Sequence, residues 1–185
     1  MLSPYSLVYP NHTTVGTLVL HQRIGNIILI LTCNRDAGNK AEMFSNILSA
    51  LNVEPYIHMR RIILSASEPS HSHPMLTIHE SHITPELLPA VFLHEQMHWR
   101  LTLSREAPKI LSLLSRKFRA YPDLDPVHLA VCRLEVRALT AVLGSEAVHT
   151  MIQRVQRYRD EYKIALFGGE LIDACLHGVG PSEIT

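Results

Sequence analysis

The stretch Val-Phe-Leu-His-Glu-Gln-Met-His-Trp-Arg at residues 91–100 decides the fold, because it places His94, Glu95 and His98 in the order His-Glu-x-x-His. On an α-helix, residues four positions apart lie one turn above the other on the same face. Two imidazoles at this spacing can bind one zinc ion, and Glu95 can reach a water molecule that the ion activates. The other residues of the stretch are mostly apolar, which predicts a buried, metal-binding helix.

The motif is short, so the rest of the chain has to support it. In a chain with twelve histidines and twelve glutamates, it arises by chance in roughly one such sequence in twenty. The alternative interpretation is a pair of histidines on a polar helix face with an ordinary glutamate between them. A strand before the motif and a third ligand on a later helix would favour the metal site, and the flanking sequence indicates both.

The composition is that of one folded domain. The chain has 185 residues, 46% of them hydrophobic, and a formal net charge of zero, so it is long enough to bury a core. Its scattered lysines and arginines give no reason to propose nucleic acid as a partner. We therefore expect a single domain over residues 1–185.

Cysteine usage and the apolar runs bear on location. The three cysteines, Cys33, Cys132 and Cys175, are far apart in the sequence, which predicts no disulfide framework and a cytoplasmic location. The N-terminus lacks the charged and apolar regions of a signal peptide. The longest apolar run, at residues 27–31, is too short to span a membrane.

Hydrophobic periodicity predicts an α+β fold, with a small mixed sheet in residues 15–83 that packs with the motif helix, and a helical bundle in residues 84–178. The sheet region contains a predicted helix and four strands, of which the first two form a hairpin and the last lies at a sheet edge. The motif helix is expected to begin after Thr84, which is a suitable N-cap before Pro85. The predicted strands are 17–22, 26–32, 56–66 and 75–83, and the helices 40–51, 85–104, 107–119, 126–143, 145–155, 158–167 and 170–177.

A catalytic zinc site usually takes three protein ligands, so a third has to come from another element. Glu135 is the preferred candidate, because it lies mid-helix among apolar residues, where an unpaired carboxylate is costly to bury. Alternatively, Glu135 faces solvent or pairs with a neighbouring arginine. His128, two turns earlier on nearly the same face, is the rival and would make a three-histidine site. Cys132, one turn before Glu135, either approaches the metal or fills space in the core.

The run from His94 to His98, with Glu135 on a later helix, resembles the zincin metallopeptidases, specifically the gluzincin type in a minimal single-domain form. The resemblance covers about residues 76–143. It implies a zincin-like fold that binds Zn²⁺. It also implies that His94, His98 and Glu135 are the zinc ligands and that Glu95 is the general base.

The chain departs from two subsets of that family. Thermolysin-like members carry an asparagine before the ligand glutamate and Ser-Asp three residues after it, whereas this chain has Leu134, Ala138 and Leu139. The aspartate that usually supports the site is therefore missing. The metzincin variant needs a glycine and a histidine after the motif, where this chain has Leu101 and Ser104.

The resemblance implies a zinc-dependent peptidase acting on a peptide or protein substrate. Glu95 would take a proton from the attacking water and pass it to the leaving amine. The oxyanion needs a further donor, and the candidates are Tyr162, Tyr158 and His177, in that order. For each tyrosine the alternative is a role in core packing. An edge strand at 75–83 would offer an extended peptide a place to pair.

The alternative function is a zincin-fold metal-binding protein without peptidase activity, which acts as a regulator or as a toxin-like partner. Such a protein would block its own cleft, with the loop 67–74 or with the C-terminal tail. A structural protein without metal is a third interpretation. Four more histidines lack ligand spacing, so we expect ordinary loop or strand residues at His71, His73, His79 and His82. Oligomeric state does not follow from the sequence.

Overall fold

The computed structural model describes residues 6–7, 19–24, 26–32, 37–153 and 158–177. It shows a mixed α+β protein, which confirms the predicted class. The chain divides into two compact units between Gln96 and Met97, here called unit 1 and unit 2. This division falls inside helix α2 (Leu88–Leu103), which continues through it without a break. The expectation of a single domain stays a prediction.

Unit 1 carries a five-stranded mixed sheet, whose strands follow one another in chain order within the described residues. The first two pairings are antiparallel, and the pairing of the second and third strands confirms the predicted hairpin. The last three strands run parallel. Parallel neighbours need a crossover connection, and α1 (Ala37–Ser49) lies in the first of these. The strands are β1 (Ser6–Leu7), β2 (Val19–Ile24), β3 (Ile27–Thr32), β4 (Arg61–Ser65) and β5 (Leu76–His79).

The core of unit 1 combines strand and helix side chains. Leu29 of β3, Ile62 of β4 and Ile78 of β5 have no exposed surface. Phe44 of α1 and Phe92 of α2 are equally buried and meet edge to face, with ring centroids 6.0 Å apart and planes at 83°. Burying one such aromatic side chain contributes about 1.5–3 kcal/mol. These contacts hold the first half of α2 in unit 1.

β4 begins later than the sequence predicted. The prediction placed a strand at 56–66, but a short 3-10 turn occupies Glu54–Tyr56 and β4 starts only at Arg61. A proline stands in the first turn of this 3-10 segment, where its missing N–H is tolerated. The chain between the turn and β4 is therefore available for the side-chain contacts of α2 described below.

β5 is shorter than predicted and ends at His79. The prediction extended this strand over 75–83, but the chain enters a second 3-10 turn at Glu80–His82. The His79 imidazole accepts a hydrogen bond from the backbone N–H of Ser81 and caps this turn. Side chains that bond to nearby backbone in this way compete with strand pairing.

The outer edge of β5 is paired with the protein's own chain. β5 is the last strand in the sheet order, which confirms its predicted edge position. His71 donates its backbone N–H to the Thr77 carbonyl at 3.0 Å and accepts the Thr77 N–H at 2.8 Å. The His79 N–H donates to Ser70 Oγ at 2.9 Å. Both backbone groups of Thr77 and the N–H of His79, which a peptide would use, therefore already have partners.

Unit 2 is helical, and five further helices follow α2. Within the described residues, no helix combines the length and hydrophobicity that crossing a bilayer requires. α2 begins at Leu88 rather than directly after Thr84, because Pro89 fits only the first turn of a helix. Thr84 Oγ1 instead accepts the Leu87 N–H in the preceding turn. The helices are α3 (Ala107–Lys117), α4 (Pro126–Leu143), α5 (Ser145–Gln153), α6 (Arg159–Phe167) and α7 (Gly169–Leu176).

α4 has the bounds that its sequence predicted. Asp125 is the N-cap, and its carboxylate accepts the Val127 N–H at 2.9 Å. Pro126 occupies the first helical position, where its fixed φ is favourable. Gly144 ends the helix with φ 84°, a conformation that only glycine adopts readily. Strong local signals at both ends thus define the helix that carries the candidate third ligands.

An arginine joins three helices of unit 2. The Arg133 guanidinium on α4 binds the Asp173 carboxylate on α7 through Nε and Nη2, and donates from Nη1 to the Ala165 carbonyl on α6. The guanidinium lies against Gly169, where an added Cβ would stand 2.3 Å from Arg133 Cζ. The hydrogen bond from Arg133 also lowers the pKa of Asp173, so this carboxylate stays charged.

Candidate metal centre

His94 and His98 lie on one face of α2, one helical turn apart, as the motif predicted. Because α2 is continuous, their spacing is set by the helix itself. Both imidazoles are partly exposed, whereas Glu95 beside them is buried, with 8% of its surface exposed. A pair of accessible imidazoles next to a buried carboxylate is suited to holding an ion and moving a proton beside it.

Gln96 fixes α2 from its other side, and the sequence analysis missed this role. Two positions from each histidine, Gln96 points away from their face. It has no exposed surface, and its Oε1 accepts the backbone N–H groups of His58 and Met59, both at 2.8 Å. Its Nε2 donates to the Met59 carbonyl at 2.8 Å. Gln96 shares its helix face with Phe92 and Leu93, so a polar residue on an apolar face was the available signal.

α4 presents three further donors at helical spacing. His128, Cys132 and Glu135 are four and three positions apart, so they follow one face of the helix. The His98 and His128 rings meet edge to face within unit 2, with centroids 5.1 Å apart. α2 and α4 therefore both contribute candidate ligands.

The structure forms two groups of possible ligands, and His94 belongs to both. In the first, ligand atoms of His94, His98 and His128 all lie within 4.8 Å of one another; in the second, those of His94, Cys132 and Glu135 do. Imidazole, thiolate and carboxylate are the ligands that zinc takes in proteins. The donor chemistry of both groups thus fits zinc.

The preferred ligand set of the sequence analysis, His94 and His98 with Glu135, stays a prediction. The group that includes both motif histidines is completed by the rival candidate, His128. Glu135 is 1% exposed, as its apolar neighbours indicated. The neighbouring arginines are not its partners in the hydrogen bonds of the described residues, since Arg133 and Arg137 both contact Asp173.

His128 is held in a defined orientation. Its Nδ1 lies 2.5 Å from Asp125 Oδ2, and its ring stacks on Tyr158 with centroids 3.8 Å apart and planes at 18°. A neutral imidazole that donates Nδ1–H to a carboxylate carries its lone pair on Nε2, the atom that can bind a metal. Tyr158, the N-cap of α6, adopts a left-handed backbone with φ 57° and ψ 34°, which is uncommon outside glycine.

Glu135 is joined to Tyr162, the first predicted oxyanion donor. The Tyr162 hydroxyl donates to Glu135 Oε2 at 2.6 Å, and it also contacts the Cys132 thiol. Burial, reinforced by the Glu135 charge, raises the pKa of Tyr162 well above its ordinary value, so the hydroxyl stays protonated and can donate. Burial and the Glu135 charge also raise the pKa of Cys132.

The other two donor candidates lie differently. Tyr158 precedes α6 and stacks on His128, rather than lying on the same helix as Tyr162. His177 follows α7 and is exposed, and it makes a small contribution to lowering the pKa of Asp173. The roles of both residues in catalysis stay predictions. The C-terminal tail, a candidate for blocking the cleft, lies outside the described residues.

Comparisons of the chain with protein-family models, with curated proteins and with solved structures found no match.

Proposed function

We propose that the protein is a zinc-dependent hydrolase of the zincin type that cleaves peptide bonds. The observation that carries this proposal is the grouping of His94, His98 and His128, next to the buried Glu95. A His-Glu-x-x-His helix supplies two ligands and a base, and it needs a third ligand from elsewhere. On α4, His128 groups with both motif histidines, and Glu135 groups with His94.

The ligands of the zinc ion would be His94 and His98 from α2 and one residue of α4. His128 is supported by its grouping with both motif histidines, and Glu135 by the resemblance to gluzincins. When bound, zinc supplies Lewis acidity, which polarises a carbonyl and makes water a stronger nucleophile at neutral pH. The carboxylate of Asp125 would orient His128 from the far side of its ring, as the outer partners of metal-bound histidines do.

The remaining chemistry falls to side chains around these ligands. Glu95 would accept the proton of the attacking water and deliver it to the leaving amine, a transfer worth about 10²–10⁴-fold in rate. Tyr162 keeps its proton and would donate a hydrogen bond to the oxyanion that forms at the scissile carbonyl. In the structure this hydroxyl bonds to Glu135, so Tyr162 would have to exchange that acceptor for the substrate.

Replacing the base tests the proposal. Glu95→Gln should keep stoichiometric zinc and lose about 10²–10⁴-fold of the hydrolysis of a peptide library, because the amide cannot accept the proton. The matched control is Glu161→Gln, since Glu161 is also 8% exposed and the amide oxygen can still accept the Asp125 N–H. Undiminished hydrolysis by zinc-loaded Glu95→Gln would contradict the proposal.

A metal-binding regulatory protein without peptidase activity is the second candidate. The paired outer edge of β5 favours it, because His71 and Ser70 occupy the backbone positions at which an edge-strand substrate would bind. It predicts that the zinc-loaded wild-type protein cleaves no member of an unbiased peptide library. Cleavage that Glu95→Gln abolishes would reject it.

A further inference from the structure

The two ligand groups contain more donors than an open zinc site uses. A catalytic zinc takes three protein ligands and keeps a position for water, whereas a structural zinc takes four. Cys132 shares a group with His94 and Glu135, though not with His98 or His128, so an ion bound through His94 would have Cys132 as a candidate ligand. The α4 face therefore offers a ligand for the position that water would otherwise occupy.

We propose that Cys132 is a fourth protein ligand of the metal ion, which closes the position that an attacking water would use. This inference rests on the zinc site proposed above and specifies its resting state. The thiolate would have to leave before a peptide could be hydrolysed. Exchange of the thiolate for water would then slow hydrolysis by the wild-type protein without abolishing it.

The position of Cys132 supports this role beside Glu135, with which it shares a ligand group. It lies one turn after His128 and one turn before Glu135 on the same face of α4. Its side chain has no exposed surface, so the thiolate would bind the ion without competition from bulk water. Its sulfur shares the second ligand group with His94 and Glu135.

The Cys132 thiol loses its proton when it binds the metal ion. When the bond between sulfur and metal forms, the S–H bond breaks and its proton passes to solvent. The Tyr162 hydroxyl, which contacts both Cys132 and Glu135, keeps a carboxylate acceptor throughout. Thiolate is also a softer ligand than carboxylate and suits zinc well.

Cys175 offers a matched comparison within unit 2. It is a free, buried cysteine like Cys132, with 8% of its surface exposed. Its thiol donates to the Leu171 carbonyl of its own helix at 3.5 Å. Among the described residues, it belongs to neither ligand group. Burial alone therefore does not distinguish the two thiols, whereas proximity to other ligands does.

Cobalt is the probe for the test, because a bond between thiolate and Co²⁺ gives a charge-transfer band in the near ultraviolet. The full-length wild-type protein, Cys132→Ser and Cys175→Ser are each loaded with one equivalent of Co²⁺, and the bound metal is counted. We expect the band in the wild type and in Cys175→Ser, and its loss in Cys132→Ser. Zinc affinity of Cys132→Ser, measured by competition with a chelator, should fall by at least about tenfold.

The outcomes separate this inference from the proposed function. Bound cobalt without a thiolate band in the wild type would overturn the inference and leave the peptidase proposal intact, and this readout needs no variant to fold. A band that persists in Cys132→Ser would also overturn it, since another thiol would then be the ligand. Failure of the wild type to bind cobalt would reject the metal site itself, and with it both proposals.

Discussion

Two histidine-rich regions of this chain differ in what they can do. The segment of residues 66–82 before α2, which includes β5 and is here called the histidine loop, carries His71, His73, His79 and His82. The α2–α4 centre carries His94, His98 and His128. Within the described residues, only the second region forms metal-ligand groups. The spacing of histidines on helices therefore predicted the possible metal ligands better than the number of histidines in a segment did.

The histidine loop uses its imidazoles to hold its own backbone. His71 Nδ1 bonds to the Pro69 carbonyl, and His79 Nε2 to the Ala66 carbonyl. His82 Nδ1 bonds to Ser70 Oγ at 2.8 Å. Burial, with a smaller contribution from the nearby His79, lowers the pKa of His82. The rings of the histidine loop are oriented by hydrogen bonds to their own segment, whereas helix α2 places the His94 and His98 rings on the same face.

The largest expected effect separates the two regions directly. His94→Ala removes the ligand that both groups share, so zinc affinity should fall by more than about a hundredfold, since losing even an outer partner of a ligand costs about 10–100-fold. His82→Ala, the control from the histidine loop, should leave zinc affinity unchanged. Chelator competition measures both. Equal losses of zinc affinity in the two variants would show that the histidine loop contributes to zinc binding as much as α2 does.

The next effect concerns the support behind α2. Gln96→Leu deletes three hydrogen bonds to the backbone of His58 and Met59, and places an apolar side chain against those part-buried groups. We expect the free energy of unfolding to fall by about 2 kcal/mol or more. Thr102→Leu, at an exposed position on the same helix, should change it by less than about 0.5 kcal/mol. Urea denaturation would show whether the two variants differ as expected.

A third variant tests the helical scaffold apart from the site. Arg133 donates a hydrogen bond to Asp173 and lowers its pKa. The stabilising contribution of Asp173 is therefore present above about pH 3.9, the pKa in the unfolded chain, and it is lost as pH falls through the lower pKa of the folded protein. Asp173→Asn should cost about 1–2 kcal/mol at neutral pH and remove this part of the acid dependence. Zinc affinity should not change. Denaturation curves at several pH values, with zinc titrations, test both statements.

The smallest effect belongs to the histidine loop. Ser70→Ala removes the acceptor of the His79 N–H and the partner of the His82 ring. Stability should fall by about 0.5–1.5 kcal/mol, the contribution of an ordinary hydrogen bond, with no change in zinc affinity. Ser67→Ala, at an exposed position in the same loop, is the control. A thermal unfolding midpoint no lower than that of the control would show that the edge pairing does not depend on Ser70.

Local chemistry made much of the fold predictable from the sequence. The Asp125-Pro126 pair and Gly144 set both ends of α4 correctly, because caps and prolines act within a few residues. The strand expected at 75–83 was too long, since the competing bond between His79 and Ser81 depends on side-chain direction rather than on hydrophobic pattern. Capping residues and a proline therefore predicted the ends of α4 correctly, whereas the hydrophobic pattern alone did not predict where β5 ends.

The site was predictable only along single helices. The spacing of His94 and His98 is a property of one helix, and the burial of Glu135 followed from its apolar neighbours. The grouping of His128 with the motif histidines depends on tertiary packing, which periodicity does not report. The amide of Gln96 bonds to backbone more than thirty-five positions away, so no local pattern could show its partners.

Tyr158 has a consequence for any attempt to make this protein more heat-resistant. A left-handed backbone at a residue other than glycine costs roughly 1–2 kcal/mol. Tyr158→Gly would relieve this cost, but it would also remove the ring stacked on His128, whose packing contributes a stabilisation of the same order. Backbone strain and side-chain packing at Tyr158 therefore oppose each other, and a search for stabilising substitutions would gain little at this position.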